Sequence, residues 1–124
     1  MTGPELVERA AAVAANAYAP YSNYLVGASV LTTDGRLFDG VNVENAAYPL
    51  GVCAEKSALV SAASAGARPG EIAAIGITAS PCGGCRQWLH EWRFEHVHFR
   101  RSDGTVATYA PDELLPETWD LPEG

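Results

Sequence analysis

A three-layer α-β-α sandwich around a mixed five-stranded sheet is the fold class this 124-residue sequence predicts. Three observations point there. Five short β-rich runs alternate with helical patterns along the chain. Two of the turns between runs are Asp-Gly pairs, the mark of tight antiparallel hairpins. Helices between the other strands demand crossover connections, and crossovers cover a sheet on both faces. No linker, repeat or low-complexity tract interrupts the chain, so residues 1–124 are expected to form one domain.

The elements follow in order. "TGPEL" starts a helix, with Thr2 and Glu5 at capping-box spacing and Pro4 in the first turn. Leu6, Ala10, Val13, Ala14 and Ala17 recur at helical spacing, and Pro20 is expected to end that helix. "LVGASVLTTDGRLFDGVNV" is a hairpin turning at Asp34-Gly35. "CAEKSALVSAASAG" reads as a helix closing on Gly66, and "EIAAIGITA" as a short buried strand. Ser80 and Pro81 are expected to cap and open a third helix beginning with a cysteine pair. "HVHFR" and "TVATY" flank Asp103-Gly104 as the last two strands. "PDELLPETW" forms a turn of helix and a tail.

Composition narrows the function. Apolar residues make up 48% of the chain, which disfavours disorder. The net charge of −7 disfavours a nucleic-acid polymer as partner but not a single nucleoside. No apolar run approaches the roughly 20 residues of a membrane span, and the N-terminus does not read as a signal peptide. A cytoplasmic, reducing setting is expected, where three cysteines argue for metal or catalysis over disulfides.

Cys82 and Cys85 open the third helix and Cys53 opens the second. Both helices follow strands, so both N-termini can lie at one end of the sheet and three thiolates can converge on one ion. Three ligands leave a fourth position open for water, as in catalytic zinc sites, whereas structural zinc is closed by four protein groups. Glu55, two residues after Cys53, is placed to take a proton from such a water. Three thiolates and Zn²⁺ carry a net negative charge, a poor setting for making hydroxide. Two helix N-termini, each near half a positive charge, offset it, and Lys56 and Arg86 add cations beside the ligands. Plainer readings compete. Cys53 alone reads as a buried core cysteine. The Cys82–Cys85 pair alone reads as a redox dithiol, although its two intervening glycines fit that poorly. A closed structural zinc would borrow His90, His96 or His98. The pair and the Cys-x-Glu together favour the open site.

"CAE" at 53–55 and "PCGGCRQ" at 81–87 resemble the cytidine deaminases, specifically their small homotetrameric branch. "AYAPYSNYLVGA" at 17–28, "GVNVENAAYP" at 40–49 and "DELLPETW" at 112–119 extend the resemblance over nearly the whole chain. It implies a cytidine deaminase-like fold, one Zn²⁺ per subunit held by Cys53, Cys82 and Cys85, and hydrolytic deamination of cytidine or 2′-deoxycytidine in pyrimidine salvage. Glu55 would move protons from water to the ring N3 and to the departing amine. Asn42 and Glu44 would bind the ribose hydroxyls, Tyr24 would flank the base, and the Ala54 N–H would meet the C2 carbonyl. Tyr48 and Trp119 fall where family aromatics close sites of neighbouring subunits in a homotetramer with active sites at its interfaces.

Four features depart from the family pattern. Lys56 stands for an Arg that bonds a ligand sulfur, Tyr24 for a Phe, and Trp119 for a smaller Phe. Ala79 runs directly into Ser80 where the family has a longer loop. These changes keep a modified cytosine nucleoside, or an aminopyrimidine antibiotic such as blasticidin S, as an alternative substrate. A non-catalytic zinc-stabilised binding protein is the alternative from another class.

Overall fold

The structure, a computed structural model, describes residues 1–120; residues 121–124 of the expected domain lie outside it. Helix α1 spans Gly3–Ala14. Its cap is reciprocal: Glu5 N–H donates to Thr2 Oγ1 at 3.2 Å and Thr2 N–H to Glu5 Oε1 at 3.0 Å. The helix ends at Ala14, well before Pro20. Backbone pairing beyond the helix competes with another turn. Tyr18 N–H donates to the Asn42 carbonyl at 3.0 Å, and its carbonyl accepts from Glu44 N–H at 2.8 Å.

Strands β1 (Gly27–Thr32), β2 (Leu37–Val41), β3 (Ile72–Ile77), β4 (His96–Arg100) and β5 (Val106–Tyr109) form one sheet in the order β2-β1-β3-β4-β5. Only β3 and β4 are parallel; the other neighbours are antiparallel, so the sheet is mixed as expected. Both Asp-Gly turns are hairpins, closed by Gly35 N–H to the Thr32 carbonyl at 3.0 Å and Gly104 N–H to the Arg101 carbonyl at 2.9 Å. The register between β1 and β3 shifts opposite Leu31 and Thr32. That irregularity returns Ile72 to the face of Ile75 and Ile77, where all three join the main core.

Helices α2 (Ala54–Ser64) and α3 (Gly83–Glu91) cover that face, and α1 covers the other. A short helix, α4 (Pro111–Leu114), closes the described chain beside α3. Leu59 of α2 and Leu89 of α3 are buried with Ile75, Ile77, Val97 and Phe94. Helix α2 ends on Gly66 in a Schellman turn. Ala67 N–H reaches the Ala62 carbonyl at 3.1 Å, and Gly66, at φ +106°, donates to Ala63 at 3.0 Å. Across the other face, Arg9 of α1 grips Asp39 of β2 through two bonds of 2.8 and 3.0 Å, and Ser29 Oγ donates to the same carboxylate at 2.7 Å. No helix among the described residues is long and apolar enough to cross a membrane.

Glycine sets the helix-to-sheet distance. A Cβ on Gly40 of β2 would lie 2.2 Å from the Ala58 nitrogen and 2.7 Å from the Ala54 carbonyl oxygen. Gly27 and Gly76 make room for the α1 backbone in the same way. Gly40 therefore seats the helix whose first turn carries the site described next. Gly40→Ala is expected to lower stability in urea unfolding by about 1–3 kcal/mol, the usual cost of overpacking. Gly83→Ala, in a helix with nothing within 4 Å of the added methyl, is expected to be neutral or to stabilise by up to about 1 kcal/mol.

Candidate metal centre and active site

The two cysteine-bearing helices begin alike. Cys53 is the N-cap of α2 and Cys82 the N-cap of α3, with Cys85 in the first turn of α3. Cysteine, not Ser80, thus caps α3: the Cys85 N–H points at Cys82 Sγ at 3.4 Å. Ser80 Oγ instead accepts from Arg86 Nη2 at 3.3 Å.

The three sulfurs lie within 4.8 Å of one another, and all three cysteines are free thiols. A tetrahedral ion with Zn–S bonds of about 2.3 Å needs sulfurs roughly 3.8 Å apart, so a small contraction completes the set. The cluster stands at the starts of two helices, where the positive end of each helix dipole favours thiolates. It is the only such group of metal-ligating side chains among the described residues. The histidines are engaged elsewhere: His90 Nε2 sits 2.8 Å from Asp120, and His98 Nδ1 sits 2.8 Å from Thr108 Oγ1. His96 packs beside His98 with ring centroids 6.0 Å apart. The closed structural site and the isolated dithiol are both disfavoured by this arrangement.

Glu55 is only 6% exposed. Burial pushes its carboxyl above the ordinary glutamate range, while a hydrogen bond to the Cys85 thiol, its own backbone N–H and the Lys56 charge pull it down. Burial likewise raises the thiols of Cys53 and Cys85. Burial also acts on Cys82, but hydrogen bonds from Cys85 and Cys53 outweigh it and lower that thiol.

A recess of about 160 Å³ opens onto this cluster, lined by Tyr24, Val26, Asn42, Cys53, Ala54, Glu55, Ala79, Ser80 and Cys82. The Asn42 amide is part of the scaffold. Its Nδ2 donates to the Tyr24 carbonyl at 2.8 Å and its Oδ1 accepts from Val26 N–H at 2.9 Å, leaving one hydrogen and one lone pair for a ligand.

Other expected residues lie outside the recess. Glu44 lines a separate cavity of about 320 Å³ with Tyr21, Ser22, Asn45, Tyr48 and Gly51. One of its carboxylate oxygens accepts the N–H groups of Tyr21 and Ser22 at 3.0 and 3.1 Å, and the other takes the Ser22 hydroxyl. Those bonds, led by the Ser22 hydroxyl, hold the carboxyl below its usual range. Tyr48 is 75% exposed with Tyr21 edge-on to its ring, and Trp119 is 68% exposed. Lys56 Nζ lies 5.8 Å from the centre of the Trp88 ring, and the Arg86 guanidinium bonds to Ser80, Pro81 and Leu114. Sequence reasoning missed Tyr21 and Ser22 as the seat of Glu44, although both stand inside "AYAPYSNY". Nothing local marks which backbone amides a glutamate twenty-odd residues away will find.

A three-thiol, one-carboxylate cluster at two helix N-termini of an α/β sandwich defines a metal-dependent hydrolytic site with room for water. The chain belongs to the cytidine and deoxycytidylate deaminase family: the model of that family's zinc-binding region matches residues 3–101, which include all three cysteines and Glu55. Zinc is the cofactor. A cytidine deaminase of Mycobacterium tuberculosis is 43% identical over 114 residues, covering 87% of this chain and 82% of the relative. One from Halalkalibacterium halodurans is 38% identical over 119 residues, covering 90% and 89%. The crystal structure of a Burkholderia pseudomallei cytidine deaminase matches with a TM-score of 0.89 at 44% identity, over 96% of this chain and 100% of that one.

Metal analysis is expected to give one zinc per chain, and thiol titration to find the cysteines masked until a strong chelator is added. Cys85→Ala is expected to abolish stoichiometric zinc. Three thiols reacting at once in the untreated protein would contradict the site.

Proposed function

We propose that this chain hydrolyses cytidine and 2′-deoxycytidine to uridine and 2′-deoxyuridine with release of ammonia, as a cytoplasmic step of pyrimidine salvage. The observation that carries the reading is the buried Glu55 carboxylate beside the three-thiol cluster, both lining one recess. Relatives named cytidine deaminase over most of their length support the substrate. Three unpaired thiols fit a reducing compartment.

When bound by Cys53, Cys82 and Cys85, zinc supplies Lewis-acid activation that brings the pKa of water toward roughly 7. The protein's own groups do the rest. Glu55 takes a proton from the attacking water and delivers it to ring N3 as the oxygen bonds to C4. It then carries the remaining hydroxyl proton to the amine, the C4–N bond breaks, and ammonia leaves a C4 carbonyl behind. One carboxyl serves as base and then acid, a role suited by a pKa raised toward the working pH. The Ala54 N–H, free at the start of α2, donates to the C2 carbonyl, and Tyr24 flanks the ring. Asn42 offers its remaining hydrogen and lone pair to the ribose. Glu44, in its separate cavity with both oxygens already bonded to Tyr21 and Ser22, would accept a second hydroxyl through a remaining lone pair only from a sugar reaching out of the recess.

The recess of about 160 Å³ is smaller than the roughly 300–1,000 Å³ of pockets that enclose drug-sized ligands. A nucleoside bound there leaves its sugar uncovered by this chain alone. Tyr48 and Trp119, both largely exposed, are suited to cover the site of a neighbouring subunit, which supports a homotetramer. A second reading rests on one further feature. A groove of about 510 Å³, lined by Thr78, Phe99, Arg101 and Ser102, shares Tyr24, Ala79 and Ser80 with the recess. It gives room for a substituent on the base, as in a modified cytosine nucleoside or an antibiotic of the blasticidin type.

Glu55→Gln is expected to keep its zinc and lose about 10²–10⁴-fold in kcat, measured by ultraviolet absorbance on cytidine. The same assay on deoxycytidine, 5-methylcytidine, dCMP and blasticidin S ranks the substrates; an enzyme fastest on one of the last three would displace unmodified cytidine and deoxycytidine as its substrates. Sedimentation velocity is expected to give four chains per particle, and Trp119→Ala to raise KM. A monomer with full activity would remove the shared-site arrangement.

A further inference from the structure

Arg86 stands one residue beyond Cys85, in the first turns of α3, and has no carboxylate partner among the described residues. It bonds to three neutral groups instead. Nε donates to the Pro81 carbonyl at 2.9 Å, Nη1 to the Leu114 carbonyl at 3.1 Å, and Nη2 to Ser80 Oγ at 3.3 Å. Pro81 is buried and immediately precedes the ligand Cys82; Ser80 lines the catalytic recess. Leu114 ends α4 and packs against the core cluster. One turn further along α3, His90 Nε2 meets Asp120 at 2.8 Å. Residues four apart share a helix face. The helix that presents two of the three sulfurs therefore holds the C-terminal segment at two points, and one guanidinium touches both sides.

We infer that Arg86 is a positioning residue that joins the metal-ligating turn and the C-terminal segment 111–120 into one mechanical unit. Its planar fork supplies directed bonds in three directions, which a lysine ammonium on a flexible stem does not reproduce. Loosening α4 then loosens the turn that aims Cys82, and loss of the metal frees the segment carrying Trp119, because such coupling is reciprocal. The inference rests on the reading of Cys82 and Cys85 as zinc ligands and not on the identity of the substrate.

The test is zinc release from the loaded, full-length protein into a chromogenic chelator. Groups that orient metal ligands typically matter about 10–100-fold for metal affinity or activity, so Arg86→Lys is expected to speed release by that order. Leu114→Ala, whose side chain lies outside the recess, is expected to act in the same direction. The double variant should fall short of the product of the two effects, since both break one connection. Arg36→Lys is the control: it removes a comparable clamp, Arg36 Nη1 to the Ala65 carbonyl at 3.1 Å, at the far end of α2. It should lower the unfolding midpoint and leave release unchanged. Release at the wild-type rate in both Arg86→Lys and Leu114→Ala, or fully multiplicative effects, would overturn the inference. If Arg86→Lys does not fold, Leu114→Ala and His90→Ala decide it by the same measurement. A protein that shows the coupling but never deaminates a cytosine compound would refute the proposed function and leave this inference standing.

Discussion

Everything in this molecule turns on putting sulfur at the start of two helices. Three thiolates around a divalent cation leave an anionic centre, which is poorly suited to activating water. The N-termini of α2 and α3 counter it with free amides and partial positive charge. That placement dictates much of the rest. Gly40 lets α2 lie with its backbone against the sheet. The connection from β3 to α3 is short enough that Ala79 and Ser80 line the recess. Glu55, carried one residue into α2, is buried by the same approach that brings the helix starts together.

Much of this was legible in the chain. The Asp34-Gly35 and Asp103-Gly104 turns, the Thr2–Glu5 cap and the stop at Gly66 are local chemistry, and local chemistry reads directly from adjacent residues. The convergence of Cys53, Cys82 and Cys85 was readable because ligand spacing on a helix start has few solutions. What escaped was set by distant partners. Pro20 promised a longer α1, but Tyr18 pairs its backbone with Asn42 and Glu44. Ser80 looked like the better cap, yet Arg86 holds its hydroxyl and Cys82 takes the position. The shifted register at Ile72 has no marker in an alanine- and isoleucine-rich run.

The substrate end is built differently from the metal end. The metal end runs from the buried Cys85 and Glu55 out to the exposed Cys82, whereas the side chains expected to meet the sugar double as scaffold. Asn42 ties the loop at Tyr24 and Val26, and Glu44 ties Tyr21 and Ser22. A residue that already holds its neighbours has little rotamer freedom left to lose on meeting a ligand. The exposed rings of Tyr24, at the recess, and Tyr48, at the Glu44 cavity, lie at this end, where apolar surface is costly unless something covers it.

The cysteine placement also bears on how the chain survives without disulfides. Cys53 and Cys82 are separated by α2 and β3, so an ion gripping both would act as a cross-link closing a loop of about thirty residues. In the chain-entropy view a covalent bridge of that span removes about 3–4 kcal/mol of disorder from the unfolded ensemble. Zinc would thus restrain the denatured chain as a disulfide does in secreted proteins of this size, with a bond that does not depend on an oxidising environment.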